Sequence, residues 1–517
     1  MDAVSRLGVP KISGWAWACA FALAAACSGE GNNAAGTVDS ASGGTLATGG
    51  APVGGGSSLA SGGMNLSGGG PSAGGSPGSS VGGVPTSGGV PTSGGAPTSG
   101  GAGGVSSGGG AASIPDTVSE CQTVGVQTRL SNGVNESKHP ALVFNGAQYL
   151  TVWSDSRNGL GQVFASKLDS DGSKVQGATE YLIASDVNSR LIGPEIARDP
   201  NGGYLVVWDS CDGSTTCGDL IPSSVRARPL DASGQPIGSV TTVSAALQGE
   251  RRPYLVRAFG QYFVSYRNVV GNAEVVEVRA LADDGSVSGA PSAIQVPTAH
   301  VSGTGGGQSY VESHLSANST HLALVFIDGI GPSSVKLRLY DANLALVHET
   351  IVVSDVSTRM ANPVVGWNGA QWVVAWERDP ANAVVYGALV SADGTTVSSA
   401  VPLSTGPGNW PWVASDGYSS VVTYYGFPNG GQAMLARFNS SGAVAARDVP
   451  LSTEGSQNAR APAVAFNSLL REFGVVFTDN TSQEVYFVRT KCPYEGPGGS
   501  GGGGAAGAAG MAGSGGG

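Results

Sequence analysis

Apolar and polar positions alternate along this chain in short runs, and the runs recur. From Pro140 the stretch PALVFNGAQYLTVWSDSRNG holds two such runs split by Asn145-Gly146. The same figure returns from Pro194 (PEIARDPNGGYLVVWDS), Pro253 (PYLVRAFGQYFVSYRN), Ser313 (SHLSANSTHLALVFIDG) and Pro363 (PVVGWNGAQWVVAWERD). It returns twice more, from Pro411 (PWVASDGYSSVVTYYG) and Pro462 (PAVAFNSLLREFGVVFTD). The second run of each copy closes on an aromatic: Trp153, Trp208, Tyr266, Phe326, Trp376, Tyr424 and Phe477, spaced 48 to 60 residues apart. Period-two patterning bounded by turn residues predicts strands, and Asn-Gly between two runs predicts a hairpin. A second pair of runs follows, in the first copy QVFASKL and TEYLIAS, joined across Asp171-Gly172. Comparable Asp-Gly or Ser-Gly turns stand at 233–234, 284–285, 393–394 and 441–442, and no stretch of these copies carries a helical period.

Four antiparallel strands per unit, repeated seven times, describe the blades of an all-β, seven-bladed β-propeller. A β-sandwich also has many short strands but does not repeat its sequence in this way. Six copies supply their own fourth strand, whereas the last, ending EVYFVRTKC, has none. An orphan run of that type, VQTRLS at Val126–Ser131, precedes the first copy. It is expected to complete the last blade and close the ring without free edges. That closure would bring Cys121 beside Cys492, and a disulfide across so long a loop is worth roughly 4–5 kcal/mol in the chain-entropy picture. Cys211 and Cys217, in CDGSTTC, would clip a local loop. Trp153, Trp208 and Trp376 are expected to pack between blades.

Composition sets the boundaries. The chain has 517 residues and 84 glycines, most of them outside the repeats. Residues 28–119 are almost wholly Gly, Ser, Ala, Thr and Pro, and residues 494–517 are rich in Gly and Ala. Neither segment carries enough apolar side chain to offset the entropy of ordering, so both are expected to be disordered, flanking a propeller at 120–493. Residues 1–27 read as a signal peptide: Arg6 and Lys11, then a short apolar stretch ending LAAAC. The ending is lipobox-like, with Cys27 as the acylated residue that holds the chain to the outer face of a membrane. Cleavage after Ala24–Ala26, giving a secreted protein, is the other reading. As a tether, 28–119 would have an r.m.s. span of roughly 50 Å. Four cysteines beyond the leader suit two disulfides in an oxidising compartment. Charged residues make up only 12 % with a net of −11, and no basic stripe occurs, which argues against nucleic acid.

Motifs of catalysis are missing from the repeats: there is no HExxH, no GxSxG elbow and no CxxC, and the five histidines are scattered. No cofactor or metal is expected. The turns within hairpins are short and alike, so the variable second-to-third-strand loops and the inter-blade connections define the face that can act. The residue just before each first strand should ring the channel mouth: His139, Gly193, Arg252, Glu312, Asn362, Trp410 and Ala461. Asp155, Arg157 and Arg378 are added from the second-to-third loops. From this set His139, Arg252, Glu312, Asn362, Trp410, Asp155, Arg157 and Arg378 form the candidate ligand rim, with the Trp410 indole as a stacking platform.

The repeat P-x-V-x-x-N-G-x-Q-Y-L-V-V-W-x-D resembles the propeller repeats of bacterial extracellular proteins and lipoproteins, over residues 126–491. The resemblance implies a monomeric, surface-tethered, non-catalytic recognition module for a glycan or a protein. Two rival readings fit the same residues: a carbohydrate-active hydrolase or lyase working at the variable face, and a structural subunit of an envelope assembly.

Overall fold

The computed structural model describes residues 118–496, apart from 133–136, 177–179, 216, 218–220, 245–246, 249–251, 271–272, 296–312, 330–332, 379–382, 428–430 and 453–458. The leader and Cys27, nearly all of the tether, the tail beyond 496, Glu312 and the long 298–312 loop lie outside the described residues. Within them every regular element is a strand, and the strands form seven antiparallel sheets, which makes the chain a seven-bladed β-propeller.

In the first blade the strands Ser137–Phe144, Gln148–Asp155, Gly161–Asp169 and Tyr181–Asp186 lie side by side in that order. Asn145 makes the first turn: its Oδ1 accepts the amides of Ala147 and Gln148, at 2.9 and 2.7 Å. The Asp171-Gly172 turn closes the outer hairpin with Gly172 at φ 80°, and a Cβ there would meet the Phe487 ring of the last blade at 2.6 Å. Glycine is thus required both by the turn and by a neighbouring blade. The outermost strands vary most: in the second blade Thr241–Thr242 and Leu247–Gln248 share the edge, and in the fifth only Val401–Pro402 pairs.

The seventh blade runs Ala459–Asn467, Glu472–Asp479, Glu484–Lys491 and then Gln122–Arg129, so the N-terminal strand completes it. That strand begins earlier than VQTRLS suggests and carries an irregularity between Val124 and Thr128. Buried Glu484 fastens the join, accepting hydrogen bonds from Arg129 and from the Ser131 hydroxyl, while Val485 N–H donates to Ser131 Oγ at 2.9 Å. The disulfide Cys121–Cys492 closes the same blade with Cα atoms 4.0 Å apart, and Cys211–Cys217 closes its short loop.

Packing follows the ring. Among the described residues the buried apolar side chains fall into seven clusters, one between each pair of neighbouring blades. The cluster joining the last blade to the first, with Phe487 and Val476 against Tyr149 and Trp153, is built like the other six. All seven closing aromatics are buried, which confirms that Trp153, Trp208 and Trp376 are core residues.

The two disulfides should differ in weight. Replacing Cys121 by Ser is expected to cost about 5 kcal/mol, against about 2 kcal/mol for Cys217→Ser, because the loops they close span 371 and 6 residues. Denaturant titration of both variants checks this; equal losses would refute closure as the main role of Cys121–Cys492.

Candidate functional site

Six of the seven innermost strands carry an X-Pro dipeptide near their start, and there the ladder is interrupted. Register shifts occur between Lys138 and Ala141, Ile192 and Glu195, Ala361 and Val364, Asn409 and Trp412, and Arg460 and Ala463. Proline has no N–H to give the ladder, so the pairing breaks there. The residue before each proline is left-handed. His139, Arg252, Asn362, Trp410 and Ala461 have φ of 45–52°, and Gly193 has 55°. An L-residue held there costs roughly 1–2 kcal/mol. Such strain, repeated around one opening, is a pointer to function.

Five of these six therefore lie inside the innermost strand at a β-bulge, not ahead of it as the sequence suggests; only Arg252 precedes its strand, Tyr254–Ala258. His139, Gly193, Arg252, Asn362, Trp410 and Ala461 all line one cavity of about 370 Å³ at the end of the central channel. Trp410 is 38 % exposed, and its ring stacks on Tyr425 with centroids 5.8 Å apart. Buried Glu377 sets this corner: its Oε1 accepts from Trp410 N–H and from Asn362 Nδ2, both at 2.5 Å.

Asp155, Arg157 and Arg378 are not part of the cavity wall. Asp155 is buried and accepts from Ser137 Oγ, Trp153 Nε1 and the Arg157 side chain, while Arg157 also pairs with Glu180. Burial opposes ionisation of Asp155, yet the Arg157 and Ser137 hydrogen bonds hold its carboxyl below the usual range. Arg378 pairs with Asp355 at 2.5 Å. All three tie strand ends together.

Sequence reading missed the floor of the site. Glu195, Tyr254 and Trp412 line the mouth cavity and also a second cavity of about 170 Å³ beyond it, so they form a waist between the two. Tyr254, His314 and Trp412 rings meet there, with centroids 4.7, 5.2 and 5.8 Å apart. The signal was present one column along: the residues after the proline, or after Ser313, read Ala141, Glu195, Tyr254, His314, Val364, Trp412 and Ala463.

Charge at the site is unusual. Lys138, Arg190 and Arg252 line the mouth with a single carboxylate, Asp209, beside the Glu195 carboxyl. Burial pushes the Glu195 carboxyl well above its ordinary pKa. His139 touches solvent, yet protein crowds it inside the funnel; this desolvation, with Lys138, Arg252 and Arg190 nearby, lowers its pKa to about 4. Burial alone takes His314 down to about 3, and its Nδ1 faces the Val365 amide at 3.4 Å. No group of His, Cys, Asp or Glu suited to a metal occurs among the described residues.

No protein-family profile matches this chain, and no curated protein sequence matches it. Solved structures do resemble it in chain path. A Burkholderia pseudomallei lectin is 14 % identical and aligns over 69 % of this chain and 96 % of its own, with a TM-score of 0.47. A Dyadobacter fermentans protein of unknown function is 12 % identical over 60 % and 97 %, with a TM-score of 0.45. A polysaccharide lyase is 9 % identical over 70 % and 91 %, with a TM-score of 0.43. Likenesses this distant leave function to the chain's own residues.

Two measurements test the geometry. Gly193→Ala is expected to cost about 1 kcal/mol, and Ala461→Gly to cost nothing or to stabilise slightly, because only glycine is unstrained at these φ values. Equal effects would remove the strain argument. For the waist, the raised Glu195 pKa means the folded state keeps a proton that the unfolded chain releases above about pH 4.5, so the Glu195 contribution to stability falls as pH rises from there. Glu195→Gln should lack that fall, so its stability relative to the parent rises with pH. Parallel denaturation curves at acid and neutral pH decide it; a constant difference between variant and parent would contradict an uncharged Glu195.

Proposed function

We propose that this chain is a recognition module that binds a glycan at the mouth of its propeller. The observation that carries the reading is the left-handed ring. Five unlike side chains are held at strained φ around one cavity, at positions where a packing role would be served by glycine. The half-exposed Trp410 indole, backed by Tyr425 and fixed through Glu377, offers a flat apolar face of the kind sugar rings lie against. Asn362, Asn480 and Thr478 supply amide and hydroxyl groups around it. The cavity falls at the small end of the range for ligand pockets.

The two disulfides support export to an oxidising compartment. We take the module to be monomeric and held at the outer face of a membrane by acylated Cys27, with the Gly/Ser-rich segment as its tether. No chemical step is assigned to it.

Trp410→Gly tests the reading. It removes the indole at a backbone position that suits glycine, so the fold should survive with at most a modest fall in melting temperature, while affinity for glycans retained on an array of diverse saccharides should drop roughly tenfold or more. Unchanged binding would move the site elsewhere, and turnover of a retained glycan would make the module an enzyme.

A further inference from the structure

The chain as a whole is acidic, with 37 Asp and Glu against 26 Lys and Arg. The mouth cavity reverses that balance. Lys138, Arg190 and Arg252 come to it from the first three blades, and Asp209 is the one carboxylate in its described wall apart from Glu195. This local excess of positive charge gives the mouth a potential that favours an anion.

We propose that the mouth cavity is a site for an acidic sugar ring, whose carboxylate or sulfate meets Lys138, Arg190 and Arg252 while its apolar face lies on Trp410. The proposal rests on the glycan-binding reading above and names the ligand's chemistry. Arginine suits this task, because its planar guanidinium grips carboxylate and sulfate oxygens in pairs. Arg252 is moreover one of the strained residues, at φ 45°, so its backbone is held where its side chain enters the funnel. Burial raises the pKa of Glu195, at the floor, above its ordinary value, which weakens the charge it sets against an anion. The shape favours a ring over an extended acidic peptide. The Tyr254, His314 and Trp412 rings meet below it, and a cavity of about 370 Å³ suits a terminal or single residue.

The experiment is calorimetric titration of the full chain with three oligosaccharides of equal length: one of uronic acids, one sulfated and one neutral. At least one acidic probe should bind roughly tenfold or more tightly than the neutral one, and which one binds separates carboxylate from sulfate. That affinity should fall by a similar factor in Arg252→Gly, a substitution its φ favours, and again in about 1 M salt, where the screening length is about 3 Å. An unaltered melting temperature establishes that Arg252→Gly is folded. Equal binding of the neutral probe, or no change in Arg252→Gly, overturns the acidic-sugar site. If neutral binding still depends on Trp410, the glycan-binding reading stands without it, whereas no binding of any saccharide overturns both.

Discussion

Each blade is buried on both faces, and the rest of the structure depends on that constraint. The second strands show it plainly: Tyr204–Cys211 and Glu472–Asp479 are buried along their whole length, and Gln148–Asp155 at all but its first residue. A sheet with two apolar faces needs a neighbour on each side, and each fully buried large side chain is worth about 1.5–3 kcal/mol only while that neighbour stays. A row of such sheets would always leave two faces bare. A ring leaves none, which is why the cluster between the last blade and the first matters as much as any other.

That constraint also explains what was legible in the sequence. The repeat is strongest in the first two strands of each blade, because those residues pack against both neighbours and admit little variation in character. The outer strands face water on one side, so their pattern is thin. VQTRLS therefore understated a strand that runs Gln122–Arg129, and the second and fifth blades have far less outer strand than their sequences imply. Closure was nonetheless readable, since one blade lacked a fourth strand and one spare strand stood at the other end.

The site divided along a similar line. Its upper ring could be found because proline marks it: the dipeptides His139-Pro140, Arg252-Pro253, Asn362-Pro363 and Trp410-Pro411 share one place in the repeat. The left-handed backbone at these residues was not readable, because φ depends on how the bulge meets the neighbouring strand. The floor escaped notice since Glu195, Tyr254, His314 and Trp412 sit in a column that otherwise holds Ala and Val. Asp155, Arg157 and Arg378 drew attention as charges in variable loops, but charge at a strand end is as readily used to pin the next strand, and here it is.

The seventh blade has a consequence for how the molecule is made. Among the described strands its outer strand, Gln122–Arg129, is synthesised first, and the strand it pairs with, Glu484–Lys491, last. The first strand therefore keeps an unsatisfied edge throughout synthesis, and the final sheet cannot form until the last blade has left the ribosome. Contacts so distant in sequence are slow to form. Such a chain cannot close its ring until its first and last blades are both present, and the Cys121–Cys492 bond then seals the ring once the two strands have met.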